Sequence, residues 1–139
     1  MSIEYDIITA KKLVLAKGCG VVTGIDVIKH LDALTVDERY KAPMKKLIDY
    51  RAVDSINISL KEAYSIAQRK IKPASVFLRE RCAFISPMEL TYGSSRVHQA
   101  LVDGAGLNTA VFRSVEEALG WLDVTLEIQH EEWLSRPCT

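Results

Sequence analysis

Apolar and polar positions alternate at the start of this chain and then fall into stripes. Ile3, Tyr5 and Ile7 alternate with Glu4 and Asp6, the two-residue period of a strand with one buried face. After a break at Ala10-Lys11-Lys12, Leu13, Val14, Leu15 and Ala16 form an unbroken apolar run. The pair predicts a hairpin whose second strand continues through Gly18-Cys19-Gly20-Val21-Val22. Glycines inside a strand mark a bulge or the close approach of another part of the chain. Further strands are expected at residues 47–50, 81–85 and 109–112.

Helices are announced by one chemical device used four times, a Ser or Thr followed three residues later by an acid. The hydroxyl accepts a backbone N–H of the first turn and the acid reaches back to the cap. Thr23-Gly24-Ile25-Asp26 precedes Val27, Ile28, Leu31 and Leu34, and Ser59-Leu60-Lys61-Glu62 precedes Ala63, Ile66 and Ala67, both with apolar stripes at helical spacing. Ser86-Pro87-Met88-Glu89 and Ser114-Val115-Glu116-Glu117 repeat the device. Pro87 suits the first helical position and Gly104-Ala105-Gly106 supplies a stop.

The predicted order is β-β-α-β-α-β-α-β-α, in which each β-α-β crossover makes neighbouring strands parallel. The expected architecture is a single-domain α/β fold, a mixed sheet of about five strands with the first antiparallel and helices packed on it. Residues 1–123 form the domain, and residues 124–139 an extension, helical or mobile, with apolar Leu126, Ile128, Leu134 and Trp133 among acids. That apolar tail predicts self-association as a homodimer.

Composition narrows the function classes. With 139 residues, 48% apolar and 26% charged, the chain buries a core without staples. Eighteen basic residues balance eighteen acidic ones, which argues against a nucleic-acid binder with a broad cationic face. The balance is uneven in sequence: residues 1–72 hold 13 Lys and Arg against 9 Asp and Glu, residues 73–139 hold 5 against 9. The opening MSIEYDII lacks the basic and apolar segments of a signal peptide, and no stretch has the length of a membrane span, so a cytoplasmic location is expected. Cys19, Cys82 and Cys138, odd in number and far apart, read as reduced thiols.

The element order, the LIDYRAV strand leading into a Ser-capped helix, the segment AFISPMELTYGSSRVHQAL and the closing VFRSVEEALGWL together resemble the bacterial SpoIIAA-like proteins of the STAS fold. The resemblance spans residues 1–123 and implies a non-catalytic binding or regulatory domain. In the anti-sigma-factor antagonists of that fold, a serine opening the second helix is phosphorylated, and by position it corresponds to Ser59. Here the turn reads Asn57-Ile58-Ser59-Leu60, without the Asp and Gly of those switch proteins.

Candidate chemistry gathers where the helices begin. In an open α/β sheet, ligands bind beyond the carboxyl ends of the strands, where helix N-termini offer free N–H groups. This places Thr23, Arg51, Ser59, Ser86, Arg113 and Ser114 near one edge, with the arginines suited to a carboxylate or phosphate. Helix capping alone also accounts for the serines, and surface pairing with Asp54 or Glu116 for the arginines. Gly93 within a helix points to close packing or a cleft, which Tyr92 and Arg96 could line. The second reading of function is therefore a carrier of a small anionic or amphipathic ligand in a cleft near the strand ends.

Glu127-x-x-His130 has the spacing of a carboxylate-bridged metal site but occurs once, and no metal or other cofactor is expected. No nucleophile elbow, phosphate-binding loop or dinucleotide fingerprint is present. A binding domain is favoured over an enzyme.

Overall fold

The computed structural model describes residues 2–72, 75–77, 79–86 and 108–138. Strand β1 (Ile3–Ile8) is followed by a single 3-10 turn and β2 (Leu13–Thr23), then helix α1 (Gly24–Val36), β3 (Lys45–Asn57) and α2 (Leu60–Ile71). Beyond these come β4 (Arg81–Ile85), β5 (Asn108–Phe112), α3 (Val115–Leu122) and α4 (Ile128–Ser135). The five strands lie in the order β1-β2-β3-β4-β5, β1 antiparallel to β2 and every other pairing parallel. The helix expected to open at Ser86, with Tyr92, Gly93 and Arg96, lies outside the described residues. No helix among the described residues is long and apolar enough to cross a membrane.

The pleat assigns side chains to two faces. One carries Val14 and Ala16 from β2, Ile48 and Tyr50 from β3, and Cys82 and Phe84 from β4, covered by α1 and α2 through Leu31, Leu34 and Ile66. The other carries Leu13, Leu15, Leu47, Ala83 and Ile85, covered by Ala118 and Leu122 of α3 and Leu134 of α4. Residues 13–16 are wholly buried because β2 is central and covered on both sides, which explains their unbroken apolar run.

Two capping boxes form as the sequence predicts. Thr23 accepts from the Asp26 N–H and Ser59 from the Glu62 N–H, with each acid reaching back to its cap. Ser114 accepts from the Glu117 N–H at the start of α3. The strand glycines have separate reasons. A Cβ on Gly18 would lie 2.8 Å from the Tyr50 ring, so Tyr50 packs on bare backbone. Gly20 has φ +64 where the β2–β3 register shifts, a bulge needing a left-handed residue.

The charge imbalance along the chain also finds its use. Lysines of the first half donate to carbonyls of the last: Lys11 to Thr125, Lys45 to Leu122 at 2.6 Å, and Lys17 to Trp133 at 2.6 Å and Arg136 at 3.2 Å. Arg81 donates to the Trp121 carbonyl at 2.8 Å and lies over its ring. The carbonyl ends of α3 and α4 are thus satisfied by long side chains from the sheet rather than by basic residues in their own last turns.

The tail differs from its expected exposed state. Leu134 is buried and Trp133 partly buried against the core, leaving Ile128, 73% exposed, as the apolar tail residue still open. The ground for self-association shrinks accordingly. The thiol expectation is overturned: Cys19 and Cys138 form a disulfide, and Cys82 stays free and buried. Burial pushes the Cys82 thiol up to about 11, so it is a poor nucleophile at neutral pH.

Acid sensitivity arises at the turn after α1. Arg39 bonds Asp37 through Nε and Nη2 and Asp6 through Nη1, while the Tyr5 hydroxyl donates to Asp37 at 2.9 Å. The Arg39 hydrogen bonds hold the Asp37 carboxyl far below the usual carboxylate range. A carboxyl depressed by folding stabilises fully above its unfolded value of about 3.9, and that contribution disappears as pH falls through the folded value. Denaturant titrations between neutral pH and about pH 3 are expected to show falling stability. Asp37→Asn should flatten that slope, and an unchanged slope would exclude Asp37 as a source.

Candidate functional site

The two long central strands outrun the rest of the sheet. Asp49 pairs with Ile85 at the end of β4, whereas β3 continues beside β2 until Asn57 meets Thr23. Eight residues of strand, on the order of 25 Å, separate those levels. The single edge expected from the sequence therefore becomes two. Ser59 and Thr23 stand at the far tip, where Gly24 meets the Glu62 carboxylate. Arg51, Ser86, Arg113 and Ser114 stand at the lower level around the ends of β4 and β5.

At the lower level the cations are engaged. Arg51 pairs with Asp49 at 2.7 Å, rather than with Asp54 or Glu116, beside a recess lined by Lys17 and residues 134–138. Lys17 spends its ammonium on the two α4 carbonyls and lies over the Trp133 ring. Ser86 is buried, its N–H bonded to the Phe112 carbonyl. Glu4 lies close to the paired Cys19 and Cys138, but while the disulfide stands neither sulfur is a thiolate ligand.

From the far tip a cleft of about 280 Å³ runs down between α1, α2 and the sheet face to the level of β4. Its walls are apolar: Val27 and Leu31 of α1, Ile48 and Tyr50 of β3, Ala63 and Ile66 of α2. Ser59 and Leu60, the latter 72% exposed, sit at the mouth. His30, Lys46 and Lys70, none more than 4% exposed, line the inner end.

Strand alternation places Lys46 there, because it shares a face with Ile48 and Tyr50. Lys46 Nζ lies 3.4 Å from Glu80 Oε2 and Lys70 Nζ 3.1 Å from Glu80 Oε1, all three side chains at most 3% exposed. Phe77 and Phe84 lie beneath the two ammonium groups. Burial works against the Glu80 charge, and the two lysines overcome it and hold the carboxyl ionised. Burial pulls Lys46 below the usual lysine range. His30, on the α1 stripe and edge-on to Tyr5, is pushed well down by burial and then by Lys46 and Lys70, so its ring is neutral.

Among the described residues, neither ring nitrogen of His30 has a hydrogen-bond partner, and Lys46 Nζ has its long 3.4 Å contact with Glu80. Orphaned buried polar groups cost about 1–3 kcal/mol each, so folded proteins retain few. Here the His30 ring lines the cleft beside Lys46.

Of the candidate site residues that are described, only Ser59 reaches this cleft, with its hydroxyl in the capping box and its side chain exposed. Such a cap is worth about 1 kcal/mol, whether or not the residue has another task. Lys46, Lys70, Glu80 and His30 were missed. The available signal was Lys46 in phase with Ile48 and Tyr50, and His30 in phase with Val27 and Leu34.

No family model and no curated protein matches the chain. Among solved structures, it is similar to an uncharacterized protein of the DUF3478 family from Shewanella loihica, described as having a SpoIIAA-like fold. The two share 22% sequence identity with a TM-score of 0.57, over 87% of this chain and 94% of the other. At that identity the likeness establishes architecture: this α/β domain has a SpoIIAA-like fold.

Proposed function

We propose that this chain is a non-catalytic binding domain whose working site is the cleft between α1 and α2, and that it takes up a small amphipathic molecule. The observation that carries this is the unpartnered buried His30 ring, beside two lysines that share one carboxylate, at the inner end of an apolar cleft. Apolar walls with a few convergent polar groups are the usual make-up of a small-molecule site. The volume lies at the small end for such sites, which favours a compact ligand. The lower recess supports binding less, since Arg51 and Lys17 already have protein partners.

Regulation through Ser59, as the resemblance implies, would act at the mouth of the same cleft. The capping box supports a structural role for its hydroxyl, since a phosphate there would sit against the Glu62 carboxylate. Stoichiometric phosphate on Ser59 after incubation with host lysate and ATP would add the regulatory role.

Titration with 1-anilinonaphthalene-8-sulfonate tests the cleft. Saturable one-site fluorescence enhancement is expected, and Ala63→Trp, which places an indole in the cleft wall, should abolish it while circular dichroism is unchanged. Enhancement that ignores Ala63→Trp, or never saturates, overturns the reading.

A further inference from the structure

The charges at the inner end of the cleft do not balance. Lys46 from β3 and Lys70 from α2 share the single carboxylate of Glu80, which precedes β4. The other titratable groups around them are neutral at pH 7: burial holds the His30 imidazole of α1 low, burial and then Glu80 push the Tyr40 phenol up, and burial pushes the Cys82 thiol of β4 up against the pull of Lys70. One positive charge is left without a counter-charge among the described residues, where water scarcely reaches. A low-dielectric site tolerates such an excess poorly, and an anion that fits removes it.

Hydrogen-bond demand points the same way. Neutral His30 brings one N–H without an acceptor among the described residues, and Lys46 Nζ brings three protons against one long contact, 3.4 Å, with the Glu80 carboxylate that it shares with Lys70. A purely apolar ligand would fill the cleft and leave His30 unpaired and the two lysines still sharing one carboxylate. A cation would meet two ammonium groups. An alcohol would accept one hydrogen bond and bring no charge, whereas a phosphate dianion would overshoot a single excess charge.

We infer that the ligand is an amphipathic monocarboxylate, its carboxylate seated against Lys46 and His30 and its hydrocarbon directed along Ile48 and Ile66 towards Leu60. This rests on the cleft being the binding site. Lys46 then supplies head-group selectivity, and the apolar walls supply the rest of the affinity.

Isothermal titration with octanoate, 1-octanol and octylammonium on the wild type and Lys46→Met tests it. Met keeps the volume and leaves Lys70 and Glu80 as a balanced pair, so the variant is expected to fold. Octanoate should bind about tenfold or more tightly than octanol, with octylammonium weakest, and Lys46→Met should erase the octanoate advantage while leaving octanol unchanged. If octanol matches octanoate on the wild type, or Lys46→Met leaves octanoate affinity intact, the carboxylate assignment falls and the cleft reading stands. If no octyl compound binds and Ala63→Trp also leaves dye binding unchanged, both fall. Should Lys46→Met fail to fold by circular dichroism, the wild-type head-group comparison decides.

Discussion

Glu80→Gln is expected to cost this protein about 3–5 kcal/mol, because it removes the single carboxylate between two buried lysines and leaves like charges facing each other. Against a total stability of about 5–15 kcal/mol, such a loss brings the fold near its limit. Urea unfolding at pH 7 measures it. The penalty has a pH signature, since unpaired buried lysines can shed their protons, so the variant should recover stability as pH rises towards the ordinary lysine range. Replacing Glu80 together with Lys46 and Lys70 by apolar residues should restore most of the loss. A cost below about 1 kcal/mol for Glu80→Gln alone would mean that the lysines do not carry the charge assigned to them.

Opening the Cys19–Cys138 disulfide is expected to be the next largest perturbation. The bond closes a ring with a sequence separation of 119. In the chain-entropy account, a loop of this length restricts the unfolded chain by about 4–5 kcal/mol, and measured losses are more often about 2–4 kcal/mol. For a domain of this size that is a drop in Tm on the order of 10 °C. Thermal unfolding with and without dithiothreitol, beside Cys138→Ser, should give the same lowered midpoint for the reduced and mutant proteins. Alkylation of the unfolded, unreduced chain should label Cys82 alone. Three labelled thiols, or a midpoint indifferent to reductant, would remove the bond from the account.

What the sequence disclosed and what it hid follow from the range of the physics involved. Strand β4 at 81–85 and the caps at Thr23, Ser59 and Ser114 were readable because period and capping are local. The sequence predicts strand at residues 47–50, whereas β3 runs from Lys45 to Asn57. Beside β4 it holds Leu47 and Ile48 between Lys45, Lys46 and Asp49, and beyond Ile85 it pairs with β2 alone, where Arg51 and Asp54 face solvent, so charges interrupt the apolar signal at both ends. The buried charges were hidden by the same rule that found the core. Lys, Glu and Arg are almost never wholly buried unless paired, so Lys46, Lys70 and Glu80 read as surface until the fold brought three distant segments together. The disulfide escaped because three cysteines do not specify a pairing, and wide spacing argues for thiols only where the chain keeps the two sulfurs apart.

The covering of β2 by α3 and α4 has a consequence during synthesis. Leu13, Leu15 and Leu47 leave the ribosome early, but the side chains that shelter them, Ala118, Leu122 and Leu134, are translated on the order of several seconds later. For that interval a nascent β1-β2-β3 sheet can be closed on its α1 and α2 side and bare on the other. Such a half-covered sheet is a surface that chaperones hold or neighbouring chains stick to, and its contacts span most of the chain, which slows folding. Truncation within the last twenty or so residues should therefore send this protein towards aggregation rather than towards a smaller folded domain.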